Sequence, residues 1–190
     1  MNGQALADPA IFRRVLGHFC TGVVIVTAHD DGPIGMTCQS FSSLSLDPPL
    51  VMFCPARSST TWPRIRATGG FAVNILAAGQ RALSRGFAVS GADKFAGVAW
   101  APGRTGAPVI DGSMAHLECE IAAVHPGGDH DIVIGRPLAA GENPGLSPLL
   151  FFRSRYGGFE PVSGLDRAPE HEAVTAIDRA YGFGSDAGTG

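Results

Sequence analysis

The sequence predicts a mainly β protein, a closed antiparallel barrel with short helices at its rim. Roughly seven short runs rich in β-branched and aromatic residues, set apart by Gly- and Pro-bearing turns, read as strands. Only two or three stretches repeat apolar residues at helical spacing, and all are short. A length of 190 residues suits one domain, or one domain with a tail. Many short strands with few helices are the pattern of a barrel.

Asp8-Pro9 reads as an N-cap followed by proline at the first helical position. Ile11, Phe12, Val15, Leu16 and Phe19 then share one helical face, and Gly17 and Gly22 end the segment. Val23 to Ala28 is β-branched and strand-like, and Asp30-Asp31-Gly32-Pro33 has the composition of a turn. From Met36 to Leu46 small polar residues alternate with Phe41, Leu44 and Leu46, and Pro48-Pro49 leads into the apolar run Leu50 to Cys54. Ser58 to Gly69 predicts a short helix opened by hydroxyl caps and closed by glycine. Phe71 to Leu76 is a further strand, Arg81 to Phe87 a second helix, and Asp93-Lys94-Phe95 a loop. Met114 to Val124, Ile132 to Leu138 and Leu149 to Arg153 complete the strands. After Pro161 the character changes. Pro169 to Tyr181 carries Val174, Ile177 and Tyr181 on one helical face, and the final FGSDAGTG has the composition of a disordered end. The expected division is a barrel domain over 8–161 and an extension over 162–190.

Hydrophobic residues make up 45% and charged residues 16%, which excludes a wholly disordered chain. Runs such as Val23 to Val26 and Leu149 to Phe152 fall far short of the ~18 apolar residues of a membrane span. The start, MNGQALADPAIFRRVLG, has Asp8 and Pro9 where a secretory signal needs a basic flank and an apolar stretch, so a cytoplasmic protein is expected. A net charge of −3 argues against nucleic acid as a partner. Between Asp47 and Asp93 there is no acidic residue, while Arg57, Arg64, Arg66, Arg81 and Arg85 fall inside. That window carries +5 and suits either a compact anion, such as a phosphorylated cofactor, or a solvated arginine face. Cys20, Cys38, Cys54 and Cys119 stand far apart, the pattern of reduced and mostly buried thiols.

Several motifs are absent: the G-x-x-x-x-G-K phosphate loop, H-E-x-x-H and the G-x-S-x-G elbow. GFGSDA (Gly182 to Ala187) matches G-x-G-x-x-A in letters only, since no strand precedes it and no helix follows. His125 and His130, near Asp129 and Asp131, lack a third ligand at metal spacing, so no metal is expected. What remains is a bed of small hydroxyl residues in GMTCQSFSSLSLDPP, suited to a flat heteroaromatic ring, although an edge strand facing water reads the same way. Arg57-Ser58-Ser59-Thr60 combines a guanidinium, hydroxyls and a predicted helix start, as a phosphate contact or as a plain cap.

FCTGVVIVT (Phe19 to Thr27), GMTCQSFSSLSLDPPLVMF (Gly35 to Phe53), RSST, FAVNIL (Phe71 to Leu76), DKF, GGDHDIVIG (Gly127 to Gly135) and LLFFRSRYG (Leu149 to Gly157) follow in this order. In order and spacing they resemble the short-chain flavin reductases, the reductase components of two-component flavin-dependent monooxygenases. The resemblance runs from about Phe12 to Pro161.

The resemblance implies a flavin-binding split barrel acting as a homodimer, with flavin near the subunit interface. It implies hydride transfer from NADH or NADPH to FAD or FMN, and release of reduced flavin to a partner monooxygenase component. Met36, Thr37, Cys38, Gln39 and Ser40 should line the isoalloxazine. Arg57, Ser58, Ser59 and Thr60 should hold the flavin phosphate, with Cys54, Pro55 and Ala56 leading into it. Asn74 lies on the neighbouring strand, and Lys94 and Phe95 approach from a loop. His130, as the nicotinamide-positioning residue, and the segment with Phe152, Arg153, Tyr156 and Gly157 should contact the nicotinamide nucleotide. Cys38-Gln39 stands where many relatives carry Ala-Asn, a departure at the ring edge. No basic pair stands near His130 for a 2′-phosphate, so NADH is the expected reductant. A split-barrel flavin-binding protein without turnover, and a pyridoxamine-phosphate-oxidase-like enzyme, are the alternatives on the same barrel.

Overall fold

The structure, a computed structural model, describes residues 8–91 and 93–161. The helices are α1 (Pro9–Leu16), α2 (Trp62–Thr68) and α3 (Arg81–Ala88), the last preceded by a 3-10 turn over Ala78–Gln80. The strands are β1 (Thr21–Gly22), β2 (Val24–His29), β3 (Pro33–Cys38), β4 (Ser42–Leu46), β5 (Pro49–Phe53), β6 (Gly70–Ile75), β7 (Trp100–Pro102), β8 (Pro108–Ile110), β9 (Ala115–Gly127), β10 (His130–Glu142), β11 (Leu150–Phe152) and β12 (Arg155–Gly157). The helix expected over 169–181 and the disordered end lie outside the described residues. Among the described residues no helix is long and apolar enough to cross a membrane.

Seven strands form the main antiparallel sheet in the order β3-β2-β6-β9-β10-β5-β4. Its edge strands, β3 and β4, are joined by residues 39–41 alone, a span of about 14 Å at most. The sheet must therefore curl until its two edges adjoin, which makes the barrel. No ladder joins β3 to β4 among the described residues. Ser40, in the 39–41 connection, instead continues the β4–β5 pairing: its Oγ accepts from the Cys54 amide at 2.8 Å and donates to the Cys54 carbonyl at 3.1 Å. The barrel is split along the line between β3 and β4, as the resemblance implies.

The run Val23 to Val26 is continuously apolar because both of its faces are buried. Val24 and Val26 join Phe53, Phe71 and Val133 inside the barrel, with Trp62 and Ile65 of α2 packed one turn apart against them. Val23 and Ile25 face Leu76, Phe87, Phe95, Ile110 and Leu149 in a second cluster. Strands β9 and β10 run for 13 residues each, longer than their apolar signal, because the added ends, His125 to Gly127 and Ala139 to Glu142, are at most partly covered and hold small or polar residues in place of large apolar ones. The turn between them has positive φ at Gly128 (77°), the glycine-first pattern of a type II′ hairpin.

Helix α1 forms where the cap predicted, with Asp8 Oδ1 accepting from the Ala10 amide at 2.8 Å. It buries none of its residues. Phe12, Val15, Leu16 and the following Phe19 are all about half exposed or more. Helix α2 begins at Trp62 rather than at Ser58 because Ser59 Oγ accepts from the Thr61 and Trp62 amides, leaving 57–60 as a turn. Gly69 stops it in the left-handed region. The short strands β1, β7, β8 and β12 escape sequence reading, since two or three residues cannot display a period.

Candidate functional site

Alternation along β3 decides what the small-residue bed can present. Thr37 faces α3, where its hydroxyl donates to the Ser84 carbonyl at 2.6 Å. Met36 and Cys38 face the barrel core, and Cys38 is buried there. Of the five residues expected to line the ring, Gln39 and Ser40, past the end of the strand, reach an open cavity. That cavity measures about 390 Å³ and is walled by Phe19, Cys20, Thr21, Gln39, Ser40 and Phe41 among others. In its wall the buried Thr21 Oγ1 has no hydrogen-bond partner among the described residues, at a typical cost of ~1–3 kcal/mol. An apolar wall interrupted by an amide and hydroxyls fits a flat ring with polar edges.

The loop Cys54 to Thr60 is zipped to the β9–β10 turn. Ala56 pairs with His130 in a β-bridge, the Arg57 amide donates to the Asp129 carbonyl at 2.9 Å, and the Asp131 amide donates to the Pro55 carbonyl at 3.0 Å. Arg57 Nε donates to Asp131 Oδ1 at 2.8 Å, and the Trp62 indole donates to Asp131 Oδ2 at 2.9 Å. Those two donors, Trp62 first and Arg57 second, hold the Asp131 carboxyl below the usual carboxylate range. A depressed carboxylate adds stability above the ordinary Asp pKa of ~3.9, and that contribution fades as pH falls through its lower folded value. Ser59 spends its hydroxyl on the α2 turn, whereas Ser58 and Thr60 are exposed at the surface beside Arg57. His130 Nδ1 lies 2.7 Å from Asp129 Oδ1. Its hydrogen bond to His130 holds the Asp129 carboxyl low, so at neutral pH Asp129 only accepts and Nδ1 carries the proton.

Asn74, Phe95 and Lys94, three of the expected contacts, are engaged with neighbouring parts of the protein. Asn74 is fully buried, with Nδ2 near the carbonyls of Ile25 and Pro108 and the Thr27 hydroxyl, and Oδ1 accepting from the Ile110 amide. It is a core residue pinning β8 to β2 and β6. Phe95 packs edge-on against Phe87 and Trp100. Lys94 Nζ donates to the Gly35 and Phe87 carbonyls, tying its loop to β3 and α3, and burial pulls its pKa down. Lys94 does share a separate cavity of about 550 Å³ with Thr60 and Arg64.

The hairpin β11–β12 lines a cavity of about 870 Å³ with Cys20, Phe152, Arg153, Arg155, Tyr156 and Gly157. Arg153 and Ser154 both have positive φ, 47° and 64°. A two-residue turn of this kind normally carries Asn-Gly, and here it stores ~1–3 kcal/mol of strain per residue. The Arg81 and Arg85 guanidiniums each lie 5.7 Å from the Tyr156 ring centroid. The arginine window therefore does not converge: Arg57 pairs with Asp131, Arg64 with Asp30, and Arg81 and Arg85 with Tyr156. His130 does not line the Tyr156 cavity, so one chain does not bring the two expected nicotinamide contacts to a common wall. Cysteine use is mixed: Cys38 and Cys119 are buried, Cys54 is partly buried and Cys20 is exposed. Burial pushes the Cys119 thiol up to about 12.

A flavin reductase like domain matches residues 16–160. The chain belongs to the flavin reductase family. The reductase is 50% identical over 161 residues to the reductase subunit of a flavin-dependent monooxygenase from Mycobacterium tuberculosis, covering 83% of this chain and 86% of that protein. It is 45% identical over 149 residues to an NADH-dependent FMN reductase of Agrobacterium fabrum, covering 78% and 84%. Its fold superposes, with a TM-score of 0.79 and 41% identity, on the NADH:FAD oxidoreductase of Streptomyces globisporus solved with NAD and FAD fragments, covering 84% of this chain and 99% of that one. Within this reductase the departure at Cys38-Gln39 separates into two parts. Cys38 fills the core and Gln39 alone meets the cavity. The Asp131 contacts with Arg57 and Trp62 escape sequence reading because Asp131 and Trp62 each read as ordinary, one in a turn and one in a helix.

Proposed function

We propose that the reductase takes hydride from NADH onto FAD or FMN and releases the reduced flavin to a flavin-dependent monooxygenase component in the cytoplasm. The barrel domain over 8–161 carries the reaction, and flavin is a diffusible substrate. One observation supports this above the others: the loop Cys54 to Thr60 is bonded to the turn carrying His130, close to the seam where Gln39 and Ser40 open the cavity. On this reading the phosphate, ring and His130 contacts lie along one connected stretch of surface. The hydride passes from nicotinamide C4 to flavin N5, so the cofactors carry the chemistry. Arg57 with Ser58 and Thr60 holds the flavin phosphate, Gln39 meets the ring edge, and His130, oriented by Asp129, positions the nicotinamide. The protein supplies alignment and water exclusion, with no nucleophile or acid–base pair required.

Purified protein is expected to oxidise NADH only when FAD or FMN is supplied. In that assay His130→Ala should raise the Michaelis constant for NADH while flavin binding, followed by fluorescence, stays within about twofold. Tightly held stoichiometric flavin with no turnover would support a binding protein instead. Equal loss of flavin and NADH affinity in a well-folded variant would move the nicotinamide contact to the Phe152 to Gly157 segment.

The functional unit is a homodimer. Helix α1 exposes Phe12, Val15 and Leu16, and Phe19 just beyond it is exposed as well, more apolar surface than a monomer usually leaves to water. A Phe12→Asp, Leu16→Asp variant is expected to sediment as a monomer where the parent sediments as a dimer. A parent chain that sediments as a monomer would overturn this.

A further inference from the structure

We propose that Asp131 is a positioning residue: it presets the Arg57 guanidinium for the flavin phosphate and locks the phosphate loop to the turn that carries His130. The inference rests on the reading of Arg57 given above. Arginine on its long stem loses rotamer freedom when it grips a ligand, unless another group already holds it. Asp131 does this from a fixed base. Its Oδ2 accepts from the Trp62 indole, and Trp62 is 2% exposed, wedged edge-on against Phe53 in the barrel core. Its Oδ1 takes only the Arg57 Nε, so among the described residues both terminal guanidinium nitrogens remain without a hydrogen bond. A fork held at its stem, with both tips open, suits a phosphate better than one whose tips are already paired. The same residue closes the backbone zipper, since the Asp131 amide bonds the Pro55 carbonyl two residues from Arg57. His130 stands between Asp129 and Asp131, so the one contact sets the spacing of phosphate loop and nicotinamide turn.

The test is Asp131→Asn, which keeps an acceptor for Trp62 and removes the charge that holds Arg57. Affinity for FMN, by fluorescence titration, is expected to fall roughly tenfold, with kcat changed less than about twofold. Riboflavin, which lacks the phosphate, is expected to bind the variant and the parent alike. On an Arg57→Ala background the same substitution should cost nothing further. Equal losses for riboflavin and FMN would mean that Asp131 is merely structural and would overturn the proposal. So would a full tenfold loss on the Arg57→Ala background, or no loss in Asp131→Asn where Arg57→Ala alone weakens FMN. If Arg57→Ala itself leaves FMN affinity unchanged, the phosphate reading falls first and the positioning role falls with it.

Discussion

Replacing Arg57 by alanine is expected to raise the Michaelis constant for flavin about ten- to a hundredfold and to leave kcat within a few-fold. The phosphate end of flavin does not change between ground and transition state. A contact there gives uniform binding, and its loss appears in the Michaelis constant alone. The size follows from a charged hydrogen bond being worth ~1.5–3 kcal/mol. Arg57→Lys should recover only part of this, because an ammonium cannot bond Asp131 through a stem nitrogen and keep two planar donors free. The variant also strips Asp131 of one of its two donors, so a thermal melt belongs beside the kinetics. A lowered kcat with an unchanged Michaelis constant would place Arg57 at the reacting ring rather than at the phosphate. An unchanged Michaelis constant in a folded variant would remove it from the flavin site altogether.

Much of the fold was legible because burial imposes a pattern. The run Val23 to Val26 reads as a strand since both faces are buried, and Asp8-Pro9 and Gly69 mark helix ends by backbone chemistry that is local. The added ends of β9 and β10 were not legible, because strand built of small or polar residues has no apolar period. The site was legible in its segments and not in its side chains. Met36 to Ser40 is one stretch in sequence, yet alternation sends Thr37 to α3 and Cys38 to the core, and only the last two residues face the cavity. Asp131 could not be found from sequence, since its importance comes from Arg57, 74 positions away, and from Trp62, 69 positions away. The arginine window shows the opposite failure. Charge that is contiguous in sequence is dispersed in space over Asp131, Asp30 and Tyr156.

Asn74 turns this difference into a measurement. As a flavin contact, its replacement would weaken flavin binding in a stable protein. As a core residue it should do the reverse. Asn74→Ala removes the acceptor of the Ile110 amide, bonded at 2.8 Å, and the donor that lies 3.1 Å from Thr27 Oγ1 and 3.3 Å from the Ile25 and Pro108 carbonyls. Thr27 can still serve Pro108, through its own bond of 2.6 Å. Nothing else reaches the Ile110 amide among the described residues. An orphaned buried donor costs ~1–3 kcal/mol, and the cavity left by the amide adds to it. A total of about 3 kcal/mol corresponds to a melting temperature lowered by roughly 6–12 °C in a domain of this size. Flavin affinity per folded molecule should stay within about twofold at a temperature well below the transition. If the alanine variant does not accumulate, Asn74→Ser, which keeps a donor and an acceptor on a shorter arm, supplies the same comparison at smaller cost. A variant that melts with the parent but binds flavin poorly would return Asn74 to the site and would mean that β8 is held by other contacts.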